Sequence, residues 1–215
     1  MKKTNFILIQ ARIGSKRLKN KVLRKIQGKS ILELVIQRLK KVKNSQIVVA
    51  TTSLAEDIQV EKIAKKLKVK VFRGSTNNVA KRLLDAAKFF KQKKFVRINA
   101  DSPFIEPKLI EKVLAFGQKK SFDIVTNCFP RRSESGNSVE LINTDSLSKI
   151  FLKKNKINKS HKEHVTKFFY ENEKNFKILN FVNKKKIFSV NNKLSVDTYS
   201  DLIRLRNHSK KLYKK

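Results

Sequence analysis

The chain has 215 residues, enough for one domain with a sizeable core or two small ones. An apolar content of 40% with fifteen phenylalanines excludes a disordered chain, and a lone cysteine, Cys128, excludes a disulfide framework and a cysteine-based zinc site. The formal net charge of +35 first points to a polyanion such as nucleic acid, but the basic residues are 11 Arg against 41 Lys, scattered through every segment. Asn, Ile and Phe are plentiful too, and all these residues have A/T-rich codons. The charge therefore reads as genome composition, and nucleic acid is not the expected partner. His161, His164 and His208 lack the spacing of a metal-binding helix. The start, Met1 to Thr4, leads into an apolar run broken at Gln10. That run is too short for a signal segment or a membrane span, so a cytoplasmic, non-membrane protein is expected.

The first predicted element is a strand over Phe6–Gln10, apolar on both faces, as in a buried parallel strand. A loop follows with Gly14, Ser15 and the cations Arg12, Lys16, Arg17, Lys19 and Lys21. A strand running into such a loop suits phosphate: Gly14 permits a turn that other residues resist, successive N–H groups form an anion nest, and cations complete the neutralisation. The pattern is neither a P-loop nor G-x-G-x-x-G, and a merely solvated basic loop would look similar. Ser30 and Glu33 read as a capping box for a helix burying Ile31, Val35, Leu39 and Val42. A second strand spans Ile47–Ala50. Ser53 and Glu56 offer another box, for a helix burying Ile58, Ile63 and Leu67.

A third strand spans Val69–Phe72. Asn78 opens a helix with Val79, Leu83, Ala86, Ala87 and Phe90 inward. Phe95–Ile98 is a strand leading to Asn99-Ala-Asp-Ser-Pro103. Pro107 stands in the first turn of a helix presenting Leu109, Ile110, Val113 and Leu114, with Gly117 as its stop. Phe122–Thr126 is a strand. Beyond Phe129 come a loop over Arg131–Asn137, a strand at Val139–Ile142, a short helix over Asp145–Lys153 and a basic linker to Lys159. Ser160 and Glu163 cap a helix bearing Val165, Phe168 and Phe169. Phe176–Val182 reads as a strand, Asn183–Lys186 as a turn, and Leu194–Val196 as a last strand ending in Asp197. Thr198 caps a final helix with Leu202, Ile203 and Leu205 inward.

Alternating strands and helices imply an α/β fold with a mostly parallel sheet covered on both sides. Ligands bind such sheets beyond the C-terminal strand ends. Asp101 and Asp197 both sit at strand ends. If the fold brings them together, two carboxylates could hold Mg²⁺ facing a triphosphate. Taken singly, each reads equally well as a cap or turn residue.

The run Gln10-Ala-Arg-Ile-Gly-Ser-Lys-Arg-Leu18, with Lys21 and then Gly28-Lys-Ser-Ile-Leu-Glu33, resembles the opening of the cytidylyltransferases that make CMP-activated acidic sugars. The likeness is to the spore-coat polysaccharide branch, with CMP-Kdo and CMP-acylneuraminate synthetases as wider relatives. Val71-Phe-Arg-Gly-Ser75, Val96 to Pro107, Glu163-His-Val-Thr166 and Leu194 to Thr198 agree in order. Three departures are visible. Lys19-Asn20 stands where the spore-coat branch has Pro-Gly, Ala100 where Gly is frequent, and Ser138 where an aspartate is frequent.

The resemblance implies a Rossmann-like three-layer sandwich over residues 1–215, with 129–182 as a substrate or dimerisation subregion. It implies transfer of CMP from CTP to an acidic sugar, release of pyrophosphate, and a homodimer as one assembly. Arg12, Lys21, Asp101 and Asp197 are then catalytic, with Mg²⁺ on Asp101 and Asp197. Gln10, Ala11, Arg12, Gly14, Ser15, Lys21, Thr51, Thr52, Arg73 and Asp101 would bind nucleotide. Arg131, Arg132, Glu140 and His164 would bind the sugar. Two rival readings stand beside it: another triphosphate used on a sugar phosphate, and a basic nucleic-acid-binding module without catalysis.

Overall fold

Phe6 and Leu8 leave the first strand on one face and Ile7 and Ile9 on the other, because successive strand residues alternate. All four are at most 3% exposed, so the strand must be covered twice. The structure, a computed structural model, describes residues 5–15, 17–118, 120–131, 133–152, 157–182 and 193–212. In chain order these form β1 (Asn5–Gln10), a hairpin of β2 (Lys25–Ile26) and β3 (Lys29–Ser30), α1 (Ile31–Leu39), β4 (Ser45–Thr52), α2 (Ile58–Lys66), β5 (Lys70–Gly74), α3 (Val79–Phe89), β6 (Lys94–Asn99) and α4 (Pro107–Gln118). Then come β7 (Ile124–Thr126), β8 (Glu140–Asn143), α5 (Thr144–Leu152), α6 (Lys159–Glu163), α7 (Lys167–Glu171), β9 (Ile178–Asn180) and α8 (Tyr199–Leu212).

Among the described residues the main sheet has seven strands in the order β5-β4-β1-β6-β8-β7-β9. β5, β4, β1 and β6 are parallel, β8 runs antiparallel to both β6 and β7, and β9 is parallel to β7. One face carries Ile7 and Ile9 against α1, α2 and α4, through Leu32, Val35, Val60, Ala64, Ile110 and Val113. The other carries Phe6, Leu8 and Val48 against α3, α5 and α7, through Leu83, Ala87, Leu147, Phe168 and Phe169. This is the expected α/β, Rossmann-like three-layer sandwich with a mixed, mostly parallel sheet.

A third apolar cluster sets up the site. Leu194, Val196, Leu202 and Leu205 pack on Leu18, Ile26, Ile31 and Phe104. It clamps the C-terminal segment onto the first loop and the hairpin. The hairpin turns through Gln27 and Gly28, with φ of 49° and 75°, the two left-handed positions of a tight two-residue turn. Ser30 and Glu33 form their capping box, Asn78 caps α3, and Thr198 and Asp201 exchange side-chain-to-backbone bonds at the start of α8.

Several expectations are corrected. Leu194–Val196 joins no sheet; it is an extended segment whose Leu194 N–H donates to Ser135 O (2.6 Å) and Val196 N–H to Asp101 O (2.9 Å). Ser53 and Glu56 form no box, because a 3₁₀ turn over Ala55–Asp57 precedes α2 and turns Ile58 outward (45% exposed) in favour of Val60 and Ala64. Asn158 and His161, not Ser160 and Glu163, make the capping box of α6. Ile203 is exposed, while Leu202 and Leu205 are buried. Gly117 lies inside α4 and is there for close packing, since a Cβ would meet Leu141 at 2.7 Å. The Asn183–Lys186 turn, Lys16 and Arg132 lie outside the described residues.

Gly136 lets the C-terminal segment approach. Its φ is +100°, and a Cβ there would sit 2.5 Å from the Leu194 carbonyl carbon. Gly136→Ala is expected to destabilise by about 1–3 kcal/mol from overpacking alone and to lower activity by displacing Asp197. Thermal melting and turnover check this together; an unchanged melting temperature would contradict it.

Candidate active site

The loop after β1 is held from beneath. Asp57, fully buried, accepts the Ile13 N–H at 2.7 Å and also takes the Thr52 hydroxyl and N–H. Ala11 donates from its backbone to Ala50 O (3.2 Å), and Ala11 and Ile13 are themselves buried. Leu18 is anchored in the third cluster. The loop is thus a fixed arch from which Arg12, Arg17 and Lys21 project over the strand ends.

The arch meets two carboxylates. Lys21 Nζ donates to Asp101 Oδ2 at 2.7 Å and lies 3.4 Å from Asp197 Oδ1. Arg17 Nη2 reaches Asp197 Oδ1 at 2.7 Å, and Lys193 Nζ reaches Asp197 Oδ2 at 3.0 Å. Burial opposes the Asp197 charge, yet Lys193, Lys21 and Arg17 together hold its carboxyl below the ordinary range. Asp201 binds the N–H groups of Asp197 and Thr198 (both 3.0 Å) and Lys193, which fixes where Asp197 points. Arg12 crosses to Glu163 on α6, 3.4 Å away.

Arg12, Arg17, Lys21, Asp101, Glu163 and Asp197 line one cleft of about 580 Å³. Gln10, Arg12, Gly14, Ser15, Lys21, Asp101, Arg131, His164 and Asp197 are brought together there. Thr51 and Thr52 are not: both are fully buried, and Thr52 is committed to Asp57. Arg73 is spent on the carbonyls of Thr52 (3.2 Å) and Leu54 (2.8 Å) and on Glu61 (3.1 Å), so it ties strand ends together. Glu140 is sealed at 3% exposure in an ion pair with Arg97.

Gly14 also departs from expectation. It has an ordinary φ; among the described residues of the loop the left-handed one is Asn20, at 56°. Asparagine is one of the few side chains that tolerate this conformation.

Among the described residues no three His, Cys, Asp or Glu side chains gather as a metal site. Asp101 and Asp197, however, already share one cation, the Lys21 ammonium. Two hard carboxylates opening on a cleft fit a small divalent ion that completes its shell with water and phosphate oxygens.

A family model described as cytidylyltransferase matches residues 6–214. The chain belongs to the cytidylyltransferase family. The spore coat polysaccharide biosynthesis protein SpsF of Bacillus subtilis is 26% identical over 201 residues, 90% of this chain and 81% of its own. A 3-deoxy-manno-octulosonate cytidylyltransferase of Elusimicrobium minutum is 30% identical over 157 residues, 70% of this chain and 63% of its own. A solved cytidylyltransferase of Leptospira borgpetersenii superposes with a TM-score of 0.87 at 32% identity, covering 95% of this chain and 86% of that one. The chain is accordingly a nucleotidyltransferase enzyme. No helix among its described residues is long and apolar enough to cross a membrane.

Arg82, Arg97 and Asn99 are among the residues that line the cleft of this cytidylyltransferase and that the sequence pattern did not single out. Arg82 is fully buried, donates to Ser75 O at 2.7 Å, and is pushed down to about 10 by burial and by Arg12 nearby. One signal was available for Arg97: a cation inside the apolar run Phe95 to Ile98 must be paired if that run is a buried strand.

Proposed function

We propose that this enzyme transfers a cytidylyl group from CTP to a hydroxyl of an acidic sugar, releasing pyrophosphate, in the making of a surface polysaccharide or glycan. The observation that carries the reading is the meeting of Asp101 and Asp197 at Lys21, beneath the cationic arch. In the reaction a sugar oxygen–Pα bond forms as the bond from Pα to the bridging oxygen breaks; the hydroxyl proton and pyrophosphate leave. Catalysis of such a transfer is mainly positioning and charge stabilisation. Mg²⁺, held by Asp101 and Asp197, would neutralise phosphate charge.

The chain supplies the rest. Lys21, placed between the two aspartates, is within reach of a phosphate oxygen bound at their side of the cleft. Arg12 and Arg17 exchange Glu163 and Asp197 for the triphosphate, a change of partner that costs little because both are at the cleft surface. Gly14 and Ser15 bring backbone N–H groups to the same phosphates. Arg131 offers the cleft a guanidinium, which suits the carboxylate of an acidic sugar.

The test is pyrophosphate release with CTP, UTP, GTP or ATP, Mg²⁺ and a panel of sialic-, Kdo-, legionaminic- and pseudaminic-type sugars. Release with CTP and at least one sugar acid is expected. Preference for another triphosphate, or for a sugar phosphate, would reject the reading.

A further inference from the structure

Arg97 divides its guanidinium among three elements. Nε donates to Gln10 Oε1 (3.0 Å) at the end of β1, Nη2 to Asn99 Oδ1 (3.0 Å) at the end of β6, and Nη1 to Glu140 on β8. The fork cannot turn, because Glu140 is itself held by the Thr166 hydroxyl (2.7 Å) and the Tyr170 hydroxyl (2.6 Å). Burial opposes the Arg97 charge, but Glu140 holds it firmly protonated, with a pKa above the ordinary arginine value.

A guanidinium has five N–H donors and no acceptor. Each amide that meets it must therefore turn its oxygen inward. The NH₂ groups of Gln10 and Asn99 are left facing away from Arg97, and among the described residues neither has an acceptor. Gln10 and Asn99 are register partners on adjacent parallel strands, and both line the cleft. The result is two side-by-side amide donors at the strand ends. Arg131 adds further donors on the same cleft wall; one of its nitrogens is bonded to Ser138 Oγ (3.3 Å). The carboxylates of the cleft are occupied: Asp101 and Asp197 by Lys21, Arg17 and Lys193, and Glu163 by Arg12.

We propose that Arg97 is a positioning residue that fixes Gln10 and Asn99 as paired amide donors, and that this donor-only floor seats the carboxylate of the sugar substrate. The inference rests on the acidic-sugar reading above. A carboxylate suits the floor because it only accepts, through two oxygens with about four lone-pair sites. The triphosphate has its own cations on the arch and does not need these donors.

Gln10→Glu and Asn99→Asp test this with almost no change of shape. Each keeps an oxygen for Arg97 and replaces the outward NH₂ by a second oxygen, so a merely structural amide would lose nothing. Calorimetric titration would use Kdo and N-acetylneuraminate as sugar acids, with CTP titrated separately. Wild-type protein is expected to bind at least one acid. Both substitutions should weaken that acid at least tenfold and by a clearly larger factor than they weaken CTP, with melting temperature unchanged or raised. Arg97→Lys, which keeps the charge on Glu140 but cannot hold both amides, should weaken the acid similarly while CTP binding persists. Unweakened acid in the Gln10 and Asn99 variants, loss of CTP instead, or no acid binding by the wild type would each overturn the proposal. Failure of the wild type to bind CTP would instead strike the cytidylyl-transfer reading, and the acid titrations would still decide the role of the floor.

Discussion

Asp101→Asn and Asp197→Asn are each expected to lower CMP transfer by roughly 10²–10³-fold or more, the usual effect of removing one preorganised charge-stabilising group. Both changes keep the side-chain shape. Asp101 keeps an oxygen toward Lys21, now 2.7 Å away. Asp197 is three times paired, to Arg17, Lys21 and Lys193, and asparagine keeps an oxygen toward these donors, so the contacts are weakened but none is left without an acceptor. The fold should therefore survive. What would be lost is the pair of anionic oxygens that, on the proposed reading, would let a divalent cation sit among four cations without being repelled. Stopped-time assays of pyrophosphate release, with melting curves as the control, check this. Full turnover by either variant would remove that residue from the metal site.

The largest effect on stability is expected at Glu140. Glu140→Ala leaves the Arg97 guanidinium buried without a counterion, at a cost of roughly 3–5 kcal/mol. In a chain of this size that lowers the melting temperature by roughly 6–20 °C. Burial raises the Glu140 carboxyl pKa, but Arg97, Tyr170 and Thr166 outweigh burial and hold it below the ordinary value. The sign of the pH dependence follows. A carboxyl whose pKa falls on folding gives its full contribution above the ordinary glutamate range, near about 4.3. That contribution is lost as pH falls through the depressed folded value. Glu140→Ala should thus flatten the acid limb of the stability curve as well as lower its plateau. The double change Glu140→Leu with Arg97→Met removes both charges and should recover much of the loss, because well-packed apolar pairs often replace buried ion pairs at no cost. A Glu140→Ala protein that melts with the wild type would show that Arg97 finds another partner.

Much of this arrangement could be read from the chain because it rests on local patterns. Phe6 to Ile9, apolar at every position, demanded two covering layers and has them. Ser30 with Glu33, and Asn78, announced helix starts by chemistry that needs only three or four residues. Asp101, Asp197, Arg12 and Lys21 were visible as charged residues just past apolar runs. Their meeting depends on something less local: Leu194 and Val196 look like strand residues, yet they are buried against Leu18, Ile26 and Phe104 rather than in the sheet. Asp197 therefore arrives at the cleft from an extended segment, not a strand tip.

The misses have a common cause. Thr51, Thr52 and Arg73 stand at strand ends where ligand contact was expected, but the backbone there needed partners first. Asp57 and Arg73 supply them, and sequence spacing does not reveal that demand. Ser160 lost its cap to Asn158 because Asn158 stands where the chain is already extended, at ψ 179°. Arg97 was passed over because its partners Gln10 and Glu140 are far away in sequence, 87 and 43 residues.

Joint action of Asp101 and Asp197 on a metal-bound nucleotide is measured most directly by the affinity for CTP with and without Mg²⁺ in the wild type and in Asp101→Asn and Asp197→Asn. Magnesium is predicted to tighten CTP binding markedly in the wild type and to have almost no effect in either variant, with metal-free CTP affinity equal or better in both. Equal CTP affinity with and without Mg²⁺ in the wild type, or a full magnesium effect surviving in either variant, would contradict it.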